Sequence, residues 1–238
     1  MRMGSAPVPS RVANPVWQLT PIWHPSPNFG ARRNGLKPEL VVLHYTAMQS
    51  CEGARDWLCN PASEVSAHYL IDRDGTVIQM IDEPMRAWHA GAGGWRGKGD
   101  VNSRSIGIEL ANTGAEPYPE PQMRSLEGLL SAILMRWNIP AAGVIGHSDM
   151  APGRKIDPGP RFDWQRLALQ GLARPSVAAS PVVPDSDQFF ELLTCLGYPD
   201  ADPEARLHAF RLRFASQEKG PLNAVDMGQA QALAGKFS

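Results

Sequence analysis

The stretch Glu39-Leu-Val-Val-Leu-His-Tyr45 is a continuous run of apolar and β-branched residues that ends in polar side chains. Such a run is typical of a strand that is buried on both faces of a sheet. It carries His44 at its carboxyl end, which in an α/β sheet is the edge where binding and catalytic groups collect. The stretch therefore predicts a covered sheet and the edge of that sheet at which chemistry takes place.

The sequence on either side predicts further strands and helices. β-Branched or alternating runs bounded by turn residues predict strands at 39–45, 67–72, 76–81, 105–110 and 144–146. Helical spacing of apolar residues and terminal capping or proline signals predict helices at 51–59, 121–137 and 164–172. The second and third strands are expected to form a hairpin around Asp74-Gly75. Strands interleaved with helices predict an α/β fold, a mixed β-sheet flanked by helices.

Changes in composition divide the chain into four parts. We expect an irregular N-terminal arm in residues 1–38, a catalytic domain in 39–172, a semi-stiff linker in 173–186 and a small helical module in 187–238. Three short helices are predicted in the module, at 188–196, 203–214 and 222–234. About fifty residues form only a marginal core, so the module is expected to lean on the larger domain.

Charge, cysteine content and the N-terminus narrow the class of protein. The 23 Lys and Arg nearly balance the 24 Asp and Glu, so no global field favours nucleic acid or an anionic membrane. Three cysteines without a CxxC pair argue against a disulfide framework and against a cysteine zinc site. The chain shows neither a signal peptide nor a transmembrane segment, so we expect a cytoplasmic protein, or a periplasmic one if an export signal has been removed.

His44, His147 and Asp157 are the candidate metal ligands. His147 follows the short strand at 144–146, and Asp157 comes later in a loop rich in proline and glycine. Prolines with fixed φ and glycines with free φ can direct two ligands from one loop towards a third on a neighbouring strand. Two imidazoles and a carboxylate suit one Zn²⁺ ion and leave a fourth position for water, as in hydrolytic zinc sites. The alternative for His44 taken alone is a hydrogen-bonded core histidine.

Glu109 and Lys155 are the candidate catalytic residues. Attack of water on an amide needs a base, and Glu109 lies on the opposite face of its strand from the apolar side chains. Lys155 precedes Asp157 by two residues, so in an extended segment it lies on the same side and can stabilise the negative charge that develops on the carbonyl oxygen. A solvated strand-face glutamate and a surface loop lysine are the alternatives.

The candidate substrate contacts are Tyr45, Trp88, His89 and Arg154. Trp88 and His89 lie in a glycine-flanked loop, where an aromatic ring and an imidazole can line a cleft or serve a structural purpose. The side chain of Arg154 is expected to meet solvent or a substrate carboxylate. His68 is expected to pack or to hydrogen-bond beneath the site rather than to bind the metal.

Five segments, taken together and in order, point to a known family. They are VVLHYT (41–46), VSAHYLI (65–71), AWHAG (87–91), SIGIELAN (105–112) and GHSDMAPGRKIDPGP (146–160). In this combination the chain resembles the zinc-dependent N-acetylmuramoyl-L-alanine amidases of the AmpD/AmiD type over roughly residues 15–172. By motif position, His44, His147 and Asp157 match the family's zinc ligands, Glu109 its catalytic glutamate, and Lys155 the lysine that stabilises its transition state.

The resemblance implies hydrolysis of the amide between the lactyl group of N-acetylmuramic acid and the L-alanine of the stem peptide. It implies peptidoglycan fragments as substrates, and the lack of an export signal favours recycling of soluble muropeptides, 1,6-anhydro forms among them, over trimming of the intact wall. The C-terminal module resembles, more weakly, the peptidoglycan-binding domain of AmiD-type members. One alternative is a protein of the same fold that binds the glycopeptide without cutting it. Another is a peptidase that cuts within the stem peptide.

Overall fold

The structure is a computed structural model that describes residues 20–235. Its strands are β1 (Ile22–Trp23), β2 (Phe29–Ala31), β3 (Leu40–Tyr45), β4 (Tyr69–Ile71), β5 (Val77–Gln79), β6 (Met85–Ala87), β7 (Ser105–Leu110) and β8 (Val144–Gly146). Its helices are α1 (Cys51–Leu58), α2 (Val101–Arg104), α3 (Glu120–Trp137), α4 (His147–Met150), α5 (Trp164–Leu169), α6 (Ser186–Leu196), α7 (Pro203–Phe214) and α8 (Ala224–Gly235). All strands and helices predicted from the sequence are present, most of them within a few residues of the expected bounds.

Six strands form one mixed sheet in the order β1-β5-β4-β7-β3-β8. β4, β7, β3 and β8 run parallel, β5 is antiparallel to β4, and β1 is parallel to β5. β2 and β6 form a separate antiparallel pair. The predicted α/β fold with a mixed sheet flanked by helices is confirmed, and so is the hairpin at Asp74-Gly75, where Gly75 takes up a positive φ of 92°.

The side chains of the central strands β3 and β7 point alternately to the two faces of the sheet. Val41 and Leu43 of β3 join Ile106 and Ile108 of β7 in a core that is closed by the long helix α3. Leu40 and Val42 point to the opposite face, and the parallel register pairs Leu40 with Ser105, Val42 with Gly107 and His44 with Glu109. Because side chains on a strand alternate, His44 and Glu109 lie side by side on the face opposite α3.

The C-terminal helices cover the face that carries His44. Phe189 of α6, Phe210 of α7 and Met227 of α8 belong to the same hydrophobic core as Val42 and Ile145 of the sheet. Helices α6, α7 and α8 thus pack against the sheet through a shared hydrophobic core, as expected for a small module. The division into a catalytic domain, a linker and a module stays a prediction.

The N-terminal arm is more regular than its composition indicates. Residues 1–19 lie outside the described part, but Ile22–Trp23 adds an edge strand to the main sheet and Phe29–Ala31 pairs with β6. Strands of two or three residues are too short to leave a periodic pattern, which is why the sequence predicts only an irregular segment. Within residues 20–235 no helix combines the length and the apolar character that crossing a membrane requires.

Candidate metal centre

Two parallel strands and one loop bring the three predicted metal ligands together. His44 lies on β3, and His147 follows β8 directly as the first residue of α4. Since β3 and β8 are parallel neighbours, their carboxyl ends meet at the same edge of the sheet. The loop after α4 turns back at Gly153, which has a φ of 77°, and delivers Asp157 beside both histidines. The proline- and glycine-rich segment therefore acts as the sequence predicts.

The ligand atoms converge in a nearly equilateral triangle. His44 Nδ1 lies 2.9 Å from His147 Nδ1 and 2.9 Å from Asp157 Oδ2, and His147 Nδ1 lies 3.0 Å from Asp157 Oδ2. All three residues are buried, and together they form the group of histidine and acidic side chains that could hold a metal ion among residues 20–235. Atoms spaced this way can share one ion through bonds of about 2.0–2.2 Å, as Zn²⁺ requires.

The hydrogen bonds of His147 show that its ring presents a lone pair to this triangle. Its Nε2 lies 2.9 Å from the carbonyl oxygen of Ala90, which only accepts, so Nε2 carries a proton and the neutral form of the ring has its lone pair on Nδ1. Arg154 Nη2 also lies 3.2 Å from Nε2, but its two hydrogens are already donated to the carbonyls of Ala90 and Ala92. Burial and the neighbouring His147 lower the pKa of His44 to about 4, so that ring is neutral at pH 7. Two imidazole nitrogens and a carboxylate oxygen that face one point suit a bound cation.

Glu109 lies beside the metal triangle but does not belong to it. It pairs with His44 in the sheet register, and its Oε2 is buried without a hydrogen-bond partner within the described residues. Burial and the charge of Asp157 raise the pKa of Glu109 to about 8, although Lys155 opposes the shift. A carboxyl group whose pKa lies near neutrality can both take up and release a proton in a catalytic cycle.

The triangle opens into a cavity of about 570 Å³, a volume suited to a small ligand. Its lining includes Tyr45, Trp57, Trp88, Glu109, Lys155 and Ile156 together with the three candidate ligands. The aromatic rings supply apolar walls, and Lys155 is an exposed cation at the rim. Tyr45, Trp88 and Lys155 thus lie where a bound molecule would contact them.

His89 and Arg154 have partners inside the protein that the sequence does not predict. His89 is largely buried, and its Nδ1 lies 3.0 Å from His44 Nε2. Arg154 joins the loop of Asp157 to the loop of Ala90 through the two carbonyl bonds described above. His68 is fully buried, accepts a hydrogen bond from the backbone N–H of Gly107 and packs edge-on against the ring of His89, so it packs and hydrogen-bonds behind the site rather than among the candidate ligands. Contact of substrate with His89 or Arg154 stays a prediction.

The sequence gives no signal for two buried residues that hold the site, Asn102 and Ser105. The Asn102 side-chain oxygen accepts hydrogen bonds from the backbone N–H groups of His89 and Ala90. Ser105 is the first residue of β7, and its hydroxyl lies 3.1 Å from His89 Nε2. Their role depends on contacts between residues 89–90 and residues 102–105, which local sequence patterns do not report.

Comparison with known proteins agrees with this architecture. The family model described as N-acetylmuramoyl-L-alanine amidase, Amidase_2, matches residues 34–160. The N-acetylmuramoyl-L-alanine amidase AmiD of Escherichia coli K12 is 33% identical over 232 residues, which cover 84% of this chain and 83% of AmiD. The 1,6-anhydro-N-acetylmuramyl-L-alanine amidase AmpD of Citrobacter freundii is 35% identical over 169 residues, which cover 64% of this chain and 89% of AmpD.

Solved structures extend the similarity to the C-terminal helices. E. coli AmiD in complex with the substrate anhydro-N-acetylmuramic acid-L-Ala-D-gamma-Glu-L-Lys superposes with a TM-score of 0.78 at 32% identity, covering 87% of this chain and 92% of AmiD. AmpDh3 of Pseudomonas aeruginosa in complex with anhydromuramic pentapeptide gives a TM-score of 0.75 at 28% identity, covering 86% and 94% of the two chains. On fold, matched residues and sequence identity, the chain belongs to the Amidase_2 family of N-acetylmuramoyl-L-alanine amidases.

Proposed function

We propose that this protein uses one Zn²⁺ ion to hydrolyse the amide between the lactyl group of N-acetylmuramic acid and the L-alanine of a peptidoglycan stem peptide. The observation that carries the proposal is the convergence of His44 Nδ1, His147 Nδ1 and Asp157 Oδ2 at 2.9–3.0 Å beside the buried Oε2 of Glu109, which has no hydrogen-bond partner within residues 20–235. Two imidazoles and one carboxylate are the donor set of catalytic rather than structural zinc, because a fourth position stays open. When bound there, zinc lowers the pKa of water and polarises the amide carbonyl.

Glu109 is proposed as the general base and then the general acid. Its carboxylate takes a proton from the water that attacks the amide carbon and passes it to the nitrogen of L-alanine, which leaves as an amine as the carbon–nitrogen bond breaks. A raised pKa makes the Glu109 carboxylate a stronger base for the first transfer, and its Oε2, which has no hydrogen-bond partner within the described residues, has a lone pair free to accept that proton.

Lys155 is proposed to stabilise the carbonyl oxygen as it gains negative charge. Its ammonium group lines the same cavity as Glu109 and is close enough to lower the pKa of that residue. A cation next to a developing oxyanion in a partly dry cavity stabilises the transition state more than the ground state.

Anhydro muropeptides are the proposed substrates, with Tyr45 and Trp88 as contacts to the sugar or peptide. Support comes from two structural relatives, which hold an anhydro-muramic peptide, and from the AmpD relative, which is named for the 1,6-anhydro form. The aromatic walls of the cavity offer flat apolar surfaces of the kind on which the C–H faces of a sugar ring can pack.

Mass spectrometry of digests tests the proposed function. Zinc-loaded protein incubated with an anhydro-muramyl tetrapeptide should release the intact peptide and the free anhydro-muramic acid, whereas metal-stripped protein should release neither. Fragments cut within the peptide would instead indicate a peptidase. Binding of the muropeptide by zinc-loaded protein without any cleavage would indicate the non-catalytic alternative, and either result would contradict the proposal.

A secondary proposal concerns residues 187–238, which we propose contact parts of peptidoglycan beyond the scissile bond. A cavity of about 940 Å³ lies between α6, α7 and the loop of Asp157, and Ile156 lines both this cavity and the metal cavity. Phe190, a half-buried residue of its wall, offers a test. Phe190→Ala should raise KM for muropeptides that carry extra sugars but leave KM for a single-sugar substrate unchanged. Equal KM changes for both substrates would refute a role in binding the longer one.

A further inference from the structure

The second nitrogen of His44 starts a chain of hydrogen bonds that leads away from the proposed metal. His44 Nε2 lies 3.0 Å from His89 Nδ1, and the two rings stand nearly perpendicular at 78°. His89 Nε2 lies in turn 3.1 Å from the hydroxyl oxygen of Ser105, and that hydroxyl lies 2.6 Å from the carbonyl oxygen of Val101. His44, His89 and Ser105 are all buried, so no bulk water competes for these bonds.

The carbonyl at the end of the chain fixes every proton in it. A carbonyl only accepts, so the single hydroxyl hydrogen of Ser105 is donated to Val101. The oxygen of Ser105 must then accept from His89, which places the proton of that ring on Nε2 and leaves a lone pair on Nδ1. That lone pair accepts from His44 Nε2–H. His44 Nδ1 is consequently left without a proton and faces the metal triangle with its lone pair.

A single glycine makes room for this arrangement. A Cβ atom on Gly107 would come within 2.4 Å of the His89 ring, so any other residue at this position would force the ring or the strand to move. Gly107 and Ser105 share the face of β7 that carries Glu109, so the strand supplies the space for His89, its hydrogen-bond partner and the candidate base.

The segment His89–Ala90 supports both imidazole ligands at once. The ring of His89 accepts from His44, and the backbone carbonyl of the next residue, Ala90, accepts from His147 Nε2. The side chain of Asn102 holds this pair in place by accepting from both backbone N–H groups, at 3.0 Å and 2.8 Å.

We infer that His89 and Ser105 are positioning residues of the metal centre, which orient His44 and keep its Nδ1 free for the metal. The inference rests on the proposed zinc site. It assigns to His89 the role of holding the His44 ring through its Nε2, the nitrogen that does not face the metal. Partners that orient a ligating histidine typically change metal affinity by 10–100-fold when they are removed.

Two variants of nearly equal shape separate this role from simple packing. His89→Asn keeps an acceptor oxygen at the place of Nδ1, whereas His89→Leu has a similar size and no acceptor. We expect His89→Leu to raise the Kd for Zn²⁺, measured by competition with a chromophoric chelator, by about 10–100-fold, and His89→Asn to stay within about threefold of the wild type. Ser105→Ala, a change of one atom, should raise the Kd by about 10-fold, because His89 then loses the bond that fixes its tautomer.

His68→Leu is the matched control. His68 is another buried histidine, and its nitrogens contact the backbone of Gly107 and Met85 and the guanidinium of Arg32. Its ring packs edge-on against His89 at a centroid distance of 5.9 Å, but it makes no hydrogen bond to His89 or to a candidate ligand, so it tests the packing of the His89 ring apart from its hydrogen bond. The His68→Leu variant should lower the melting temperature of the metal-free protein and leave the Kd for Zn²⁺ unchanged. The inference is overturned if His89→Leu and Ser105→Ala bind Zn²⁺ as the wild type does, if His89→Asn loses as much affinity as His89→Leu, or if His68→Leu loses as much as either. If the wild type itself does not bind Zn²⁺, the proposed function fails first, so the two failures are distinguishable.

Discussion

Arg213→Met is expected to destabilise the fold strongly, because Arg213 neutralises a carboxylate that is shut off from water. Asp149 lies in α4, two residues after His147, and is 0% exposed, and Arg213 of α7 is 8% exposed. Arg213 Nη1 donates to Asp149 Oδ2 at 2.7 Å and Nη2 donates to the carbonyl of Val144 at 2.8 Å. Its guanidinium group also lies 4.5 Å from the centre of the Trp164 ring. The contact thus joins the C-terminal helices to the turn that presents His147, a candidate metal ligand.

The size of the loss in unfolding free energy depends on which hydrogen-bond partners Asp149 keeps when Arg213 is replaced. Its oxygens would keep the Tyr198 hydroxyl at 2.8 Å and the backbone N–H of Gly146 at 2.8 Å, both neutral donors. Removing one partner of a buried ion pair costs about 3–5 kcal/mol, because the remaining charge loses its hydrogen-bonded counter-ion. Arg174, which also interacts with the charge of Asp149, compensates only part of this loss. In a chain of this length each kcal/mol lowers the melting temperature by about 2–4 °C, which gives a loss of roughly 6–20 °C.

Urea unfolding of the metal-free proteins is the assay, with Arg73→Met as the control. Arg73 forms an ion pair with Glu116, but both side chains are well exposed, so solvent screens the pair and its loss should change the unfolding free energy little. If Arg213→Met changes the unfolding free energy no more than Arg73→Met, the buried pair does not hold the C-terminal helices to the ligand-bearing turn as we describe.

Three further predictions concern catalysis and pH. Glu109→Gln should bind Zn²⁺ with wild-type affinity but lower kcat by about 10²–10⁴-fold, as loss of a general base does, and full activity would refute the assigned role. Lys155→Met should lower kcat and change KM little in steady-state assays, since it acts on charge that develops only in the transition state; an effect on KM alone would instead indicate a substrate contact. Burial lowers the pKa of His68 from 6.5 to about 3, so the unfolded state takes up a proton as pH falls below about 6.5 and stability is lost. Between pH 7 and 5 the metal-free wild type should therefore lose about 2 kcal/mol more than His68→Asn in urea titrations, and parallel curves would contradict this.

Local sequence signals predict the framework of the site because they report on single elements. The apolar run of β3 and the alternation in β7 place His44 and Glu109 on defined faces, and the parallel register then sets them side by side. Proline and glycine between His147 and Asp157 indicate a loop that folds back, which the structure contains. Side-chain alternation and tight turns are local properties of the chain, so the residue pattern alone is enough to predict them.

Contacts between distant elements could not be predicted in this way. The hydrogen bond between His44 and His89 and the ion pair of Arg213 with Asp149 join residues that are 45 and 64 positions apart, and neither contact is indicated by periodicity. The sequence around His89 is typical of a loop that lines a cleft. The ring is buried instead, because the missing side chain of Gly107 leaves space for it, and this contact cannot be predicted from the sequence near His89. Hydrogen-bond partners of this kind are selected by tertiary packing, to which a single sequence gives no access.

The central claim, that three side chains hold one ion, is tested most directly by anomalous diffraction at the zinc edge on crystals of the zinc-loaded protein. We predict a single strong peak about 2.0–2.2 Å from His44 Nδ1, His147 Nδ1 and Asp157 Oδ2. A strongest peak at other residues, bonding through Nε2 of either histidine, or no peak after zinc loading would contradict the account.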